Sequence, residues 1–198
     1  DGSGFGGFGG FGGHGSAGFD QKGQDLNASV SVTFDEAAFG CDKRITLQDQ
    51  SGKAQTLEVH IPAGIDSGKS IRLRGKGMPG TGKGGAGDLL LKVTVQPKAG
   101  YERKGMDVYT TVSIPYTTAV LGGEARVHTL YGDVMCKIKE GTQSGSKIRL
   151  RGKGIVSMKD ANVHGDQYVT VQIQVPRHLN AEARQKLMEY KKAAAGGR

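Results

Sequence analysis

The sequence predicts an all-β protein made of two tandem, homologous small β-sandwich domains followed by a short C-terminal helix. Three observations support this fold class. The heptapeptide IRLRGKG occurs at 71–77 and again at 148–154, apolar and polar residues alternate in many short stretches between glycine-rich turns, and only the last 20 residues have a clear helical pattern. A seven-residue repeat rarely arises by chance, so the chain contains an internal duplication.

The duplication extends well beyond the heptapeptide. Residues 61–77 align with 138–154, residues 22–40 with 104–122, and the stretch that begins GD at Gly87 with the one at Gly165. Three blocks recur in the same order, so we expect a first β-domain over 22–99 and a second over 100–178. Residues 1–21 form the predicted linker and residues 179–198 the C-terminal segment.

The N-terminal segment differs in composition from the rest. Residues 1–19 contain ten glycines and four phenylalanines. Ordering so many glycines costs more backbone entropy than the few phenylalanines can offset by burial. We therefore predict a flexible Gly/Phe-rich linker, which we expect to tether a further N-terminal segment.

The body of each repeat consists of strands with a period of two. Each of the stretches 34–40 and 116–122 favours a helical turn ended by a glycine. The alternating positions of the first repeat are Leu26, Ala28, Val30, Val32 and Phe34, then Ile45 and Leu47, Leu57, Val59 and Ile61, Ile71 and Leu73, and Leu89, Leu91, Val93 and Val95. Those of the second are Val108, Thr110, Val112 and Ile114, then Val134, Cys136 and Ile138, Ile148 and Leu150, and Val169, Val171, Ile173 and Val175.

The C-terminal segment has the signals of a helix at both ends. Asn180 is a good N-cap, strong helix formers follow, and Gly196 ends the pattern. Leu187 and Tyr190 lie on one face of this helix. That face covers its own domain or pairs with a second chain, and the residues alone leave both open.

The bulk composition limits the partners and the compartment. The net charge is +8, which favours nucleic acid or an acidic protein as a partner. The two cysteines, Cys41 and Cys136, fall at non-equivalent points of the repeats, so we expect free thiols in a reducing compartment. No apolar run of 18 residues and no signal-peptide pattern occurs, so we expect a soluble, cytoplasmic protein.

No sequence motif indicates catalysis, a metal site or a bound cofactor. The stretch GIDSGKS at 64–70 has one residue too few for a phosphate-binding loop, and GKGMPG at 75–80 lacks a following helix. The histidines are scattered without a ligand spacing. Asp88 and Asp166, at equivalent positions after a glycine, are expected to be structural carboxylates that bind backbone N–H groups or the arginines of the repeats.

Several of these motifs together resemble one family. IPAGIDSGKSIRLRGKGMPG, GDLLLKVTV, VLGGEARVHTLYGDV, EGTQSGSKIRLRGKG and VPRHLN are similar to the C-terminal region of DnaJ-type (J-domain) co-chaperones, and the Gly/Phe-rich opening resembles their linker. The four C-x-x-C-x-G-x-G repeats of class A members are absent, as is a J domain with its His-Pro-Asp tripeptide. The chain therefore resembles the zinc-free class B, and we do not expect it to stimulate an ATPase by itself.

The resemblance implies a module that binds unfolded clients, prevents their aggregation and delivers them to a DnaK-type chaperone. It places an apolar cleft at Ala28, Val30, Ile45, Leu47 and Tyr101, although plain core positions would give the same pattern. Lys43 is implied as a contact for the acidic tail of the DnaK-type partner, with a solvated lysine as the alternative. Leu187 and Tyr190 are implied at a homodimer interface. A basic nucleoid-type DNA-binding protein is the alternative function.

Overall fold

The computed structural model describes residues 18–48 and 52–197. In these ranges the structure confirms the predicted β-strands, the two helical turns and the C-terminal helix. In chain order the elements are β1 (Leu26–Val32), α1 (Phe34–Phe39), β2 (Cys41–Gln48), β3 (Ala54–Ile61), β4 (Ser70–Leu73), β5 (Leu89–Val95), β6 (Glu102–Lys104), β7 (Asp107–Pro115), α2 (Tyr116–Leu121), β8 (Gly123–Thr129), β9 (Gly132–Ile138), β10 (Lys147–Leu150), β11 (Gln167–Gln174) and α3 (Ala181–Ala195).

The strands form small sheets, as expected for β-sandwich domains. One sheet has the order β1-β5-β4 and another the order β10-β11-β7-β6, while β2–β3 and β8–β9 are two-stranded hairpins. The order β4-β5-β1 of the first repeat matches β10-β11-β7 of the second. The duplicated sequence therefore folds twice into the same strand order, with β6 added in the second copy.

The described residues form two compact units. Unit 1 contains residues up to 30 together with 69–93, and unit 2 contains residues 31–68 together with those from 94 onward. In unit 1, Leu89, Leu91 and Val93 of β5 are fully buried. In unit 2, one buried cluster includes Ile114 and Val171, and a second includes Val127 and Val169.

Local sequence explains the two short helices that precede β2 and β8. Thr33 and Glu36 form a capping box at the start of α1, in which each side chain accepts a hydrogen bond from the backbone of the other. Gly40 ends α1 at a φ of 78°, and Gly122 ends α2 at a φ of 77°. Because this region strongly favours glycine, both helices stop where the sequence predicts.

A buried carboxylate explains why the basic heptapeptide recurs. Asp88 accepts hydrogen bonds from Arg72 Nη1 at 2.9 Å and from the backbone N–H of Gly75 at 3.0 Å. The Gly75 N–H, and next the Arg72 guanidinium, hold the pKa of Asp88 below its usual range. The expected structural role of this aspartate is confirmed.

The second repeat builds the same arrangement. Asp166 accepts from Arg149 Nη2 at 2.6 Å and from the Gly152 N–H at 2.9 Å. Its pKa is lowered by the Gly152 N–H first and by Arg149 second. Each heptapeptide therefore supplies an arginine and a glycine turn to one carboxylate, so both copies serve the same structural role.

Two strands were not predicted. β8 follows α2, and its buried residues Ala125, Val127 and Thr129 alternate with exposed ones. The alternation was present in the sequence, and the equivalence of β8 with β2 would have revealed it. β6 is three residues long, which is too short for a periodic signal.

Candidate functional site

The β2–β3 hairpin of unit 2 carries an apolar face that is only partly covered. Ile45 pairs with Leu57 and Lys43 pairs with Val59 across the hairpin. Val59 is buried, whereas Ile45, Leu47 and Leu57 are half-buried. Burial therefore decreases along the hairpin from its start at α1 towards the far end, where three apolar side chains keep exposed surface.

In the equivalent hairpin of the second repeat, β8–β9, the two positions on the first strand are buried, whereas Val134, the equivalent of Leu57, is half-buried like Leu57. Alignment of Gly40 with Gly122 makes Val127 the equivalent of Ile45 and Thr129 the equivalent of Leu47. Val127 is 3% exposed and Thr129 is 8% exposed. Val127 packs in a core cluster with Cys136 and Val169. The two equivalent strands therefore differ in exposure, because Ile45 and Leu47 of β2 are half-buried whereas Val127 and Thr129 of β8 are buried.

Lys43 lies on the same strand as Ile45 and Leu47 and already has a carboxylate partner. Its Nζ is 3.0 Å from Glu36 Oε2, and both side chains are about one-third exposed. The Thr33 N–H, followed by Lys43, lowers the pKa of Glu36. An acidic ligand at Lys43 would therefore compete with Glu36 for the ammonium group.

Tyr101 is packed rather than free. Its ring lies 5.9 Å from the ring of Phe34, and Lys98 Nζ lies 5.1 Å from its centroid. It contacts the buried cluster that includes Val108 and Ile155. Burial raises the pKa of its hydroxyl. Tyr101 thus presents one part of its surface to the core and the rest to solvent.

The predicted residues of β1 are described in unit 1. Ala28 is half-buried and Val30 is 9% exposed. β1 forms an edge of its three-stranded sheet. Val30 is therefore mostly covered, and Ala28 is the more accessible of the two.

Leu187 and Tyr190 lie on α3, which begins at Asn180 as predicted. Asn180 Oδ1 accepts from the Ala183 N–H at 2.7 Å, and none of the described residues of α3 is buried. Leu187 and Tyr190 are 45% and 48% exposed. They line a concave apolar groove of about 970 Å³ together with Pro115, Tyr116, Val120, Leu121, Val175 and Leu179.

Residues 18–48 and 52–197 contain no cluster of histidine, cysteine, aspartate and glutamate side chains arranged to hold a metal ion. Cys41 and Cys136 are both free. Burial raises the pKa of each thiol. In the same ranges, none of the helices has the length and hydropathy of a membrane span.

Comparison with known proteins decides the family. The family model described as the DnaJ C terminal domain matches residues 26–176, which is most of the chain. This chain belongs to the DnaJ C-terminal domain family. The predicted resemblance is confirmed at this level.

Curated relatives of the DnaJ C-terminal domain agree. The chain is 46% identical over 142 residues to "Chaperone protein DnaJ" of Lachnospira eligens, which is 72% of this chain and 38% of the relative. It is 46% identical over 145 residues to "Chaperone protein DnaJ" of Burkholderia pseudomallei, which is 73% of this chain and 38% of the relative. "Chaperone protein DnaJ" of Burkholderia thailandensis is 45% identical over the same length. The chain therefore covers well under half the length of these relatives.

Proposed function

We propose that this DnaJ C-terminal domain chain is the client-binding module of a DnaJ-type co-chaperone. It binds unfolded or misfolded polypeptides, prevents their aggregation and delivers them to a DnaK-type ATPase chaperone. The observation that supports this most directly is the open apolar face of β2–β3, formed by Ile45, Leu47 and Leu57. The family match and the curated chaperone relatives support it independently.

An unfolded segment suits such a face for two physical reasons. β2 pairs with β3 and with no other strand of the described ranges, so its second edge retains unpaired backbone groups. An extended peptide satisfies those groups while its alternate side chains bury apolar surface. Because backbone groups are common to all sequences, this mode of binding accepts many different clients.

We assign client contact to Ala28 and Val30 on β1, to Ile45 and Leu47 on β2, and to Tyr101. Ile45 and Leu47 have the strongest support, since their apolar side chains keep exposed surface on one face of β2. Val30 and Tyr101 contribute only the part of their surface that the core leaves uncovered. Lys43 is assigned to an acidic tail of the DnaK-type partner, which would replace Glu36 at its ammonium group.

We further propose a homodimer through α3. The groove beside Leu187 and Tyr190 is apolar and open, and an amphipathic helix of a second copy has the chemistry to cover it. Two modules in one dimer would bind a long client at two points. Weak single contacts then combine into much tighter binding by avidity.

The module is proposed to be non-enzymatic and cytoplasmic, with no cofactor. DNA remains the second candidate because the chain carries a net charge of +8. Arg72 and Arg149, two of the arginines behind that alternative, are paired with Asp88 and Asp166. The charge they present to a phosphate backbone is therefore partly neutralised.

Light scattering of a thermally unfolding reporter protein, with and without this chain, tests the proposal at low and at moderate salt. Apolar client binding should persist at moderate salt, whereas binding through phosphate contacts falls steeply with salt. Suppressed aggregation at both salt concentrations supports the client-binding module. No suppression at either concentration refutes it, and a gel shift that disappears at moderate salt would favour DNA.

A further inference from the structure

The chain that enters β1 is hydrogen-bonded to a glycine-rich loop of unit 1. We name residues 19–24 the strap and residues 77–87 the glycine clasp. Gln21 and Thr81 form an antiparallel bridge, with the Thr81 N–H donating to the Gln21 carbonyl at 2.9 Å. The Gly23 N–H donates to the Gly85 carbonyl at 2.9 Å. The strap therefore lies along the clasp as an added extended segment.

Few side chains contribute to this contact. Asp20 Oδ1 accepts from the Lys83 N–H at 2.7 Å, and the Phe19 carbonyl accepts from Thr81 Oγ1 at 3.2 Å. The Phe19 side chain itself is 88% exposed. Backbone hydrogen bonds and one carboxylate hold the strap, with little apolar burial, which is the profile of a segment that opens locally at low cost.

Glycines in the clasp make this close approach possible. A methyl group added at Gly84 would overlap the carbonyl oxygen of Gln21, and one at Gly87 would overlap that of Gln24. A methyl group added at Gly23 of the strap would overlap the carbonyl oxygen of Met78. At Gly85, by contrast, an added methyl group meets no atom within 4 Å. Contact between the two backbones therefore depends on particular glycines.

The second repeat keeps only the inner contact of this arrangement, because the Ile155 N–H donates to the Met106 carbonyl at 2.7 Å as the Met78 N–H donates to the Gln24 carbonyl at 2.9 Å. The sequence Lys-Gly-x-Asp occurs at 22–25 and at 104–107. The loop at 154–165 has two glycines where the clasp has six, and it pairs with itself through Val156 and His164. Residues before 105 instead form β6, which pairs with β7. The second repeat thus shows no counterpart of the outer bonds that join Gln21 to Thr81 and Gly23 to Gly85, so these bonds add something beyond the fold.

We propose that the glycine clasp is a docking site for the end of the Gly/Phe-rich segment and that this docking is reversible. Docking fixes the point at which that segment leaves unit 1. Release frees the six residues of the strap, which lengthens the tether by roughly 20 Å when extended. The clasp would therefore control the reach of the Gly/Phe-rich segment, independently of whether the proposed client contacts are correct.

Amide hydrogen exchange of the full chain tests this with a matched pair of variants. Gly84→Ala adds a methyl group that overlaps the strap, whereas Gly85→Ala adds one into open space, and neither glycine has a positive φ. Gly84→Ala should speed exchange of the Gly23 and Thr81 amides about tenfold or more, because several hydrogen bonds are lost together. Gly85→Ala should leave these rates unchanged.

The Val93 amide of β5, which donates to the Lys69 carbonyl, reports whether unit 1 stays folded. Equal rates in the two variants would overturn the proposal, as would strap amides that exchange without protection in the unmodified chain. If Gly84→Ala also speeds exchange at Val93, that variant destabilises unit 1 as a whole. A second variant, Gly23→Ala, then tests the contact by adding the methyl group to the strap instead of the clasp. Faster exchange at Thr81, which donates to the Gln21 carbonyl, with Val93 unchanged supports the clasp, and an unchanged Thr81 overturns it.

Discussion

Ile45 lies directly opposite Leu57 on the β2–β3 hairpin, and both side chains are half-buried. The corresponding pair in the second repeat is Val127 and Val134, of which Val127 is buried in a core cluster. The first residue of this pair is therefore half-buried in one repeat and buried in the other, whereas Leu57 and Val134 are both half-buried. This difference gives the proposed function its location.

The two equivalent positions should respond differently to truncation. Val127→Ala removes buried apolar surface and leaves a cavity, so we expect it to lower the free energy of unfolding by about 2 kcal/mol. Ile45→Ala removes more atoms but from a half-exposed site, and we expect a loss of about 1 kcal/mol or less. Chemical denaturation of both variants measures this. A larger loss for Ile45→Ala would show that Ile45 is a core residue.

The carboxylate of each heptapeptide should make stability depend on pH. The pKa of Asp166 is lowered in the folded state, so its contribution is full above the unfolded pKa near 4 and is lost as pH falls through the folded pKa. Asp166→Asn should therefore lower the midpoint of thermal unfolding at neutral pH, and the difference should shrink steadily below about pH 4. Asp88→Asn should behave alike. A difference that stays constant down to pH 2 would contradict this account.

The α3 groove predicts how the chain assembles. Leu187→Asp puts a charge on the exposed apolar surface beside Tyr190, so we expect it to weaken the dimer strongly without unfolding the monomer. Gln185→Asp introduces the same charge at a position that does not line the groove and should leave the dimer intact. Light scattering with size-exclusion chromatography gives the mass of each variant. A monomeric unmodified chain would contradict the dimer.

Sequence alone could predict the strand pattern because alternation and duplication are local signals. The structural role of Asp88 and Asp166 was also predictable, since both occupy equivalent places in repeats that contain arginines. The resemblance implied a cleft at Ile45, but the strand pattern alone does not predict its exposure, because an apolar residue in an alternating strand has the same pattern whether or not another element covers it. Only the three-dimensional packing distinguishes Ile45 from Val127.

Packing also explains a stretch that sequence reasoning left without a role. The GIDSGKS segment at 64–70 is one residue too short for a phosphate-binding loop. In the structure, the Arg103 guanidinium donates to the carbonyls of Gly64 and Ile65 at 2.8 and 2.6 Å. Arg103 is distant in sequence, so nothing local could have indicated this contact.

Val30 shows how the structure changes the choice of experiment. A double substitution of Val30 and Ile45 by aspartate is the obvious test of a cleft predicted from sequence. Val30 is only 9% exposed, so an aspartate there would bury a charge and destabilise the fold. The test must use Ile45 alone.

Binding of a permanently unfolded, fluorescently labelled reporter by Ile45→Asp and Thr46→Asp tests the central claim most directly. Both variants add one negative charge to β2, but Ile45 is on the apolar face and Thr46 is exposed on the opposite face. We predict that fluorescence anisotropy at moderate salt shows at least tenfold weaker binding for Ile45→Asp, about 1.4 kcal/mol, and near-normal binding for Thr46→Asp. Equal affinities in two folded variants would contradict client binding at this face.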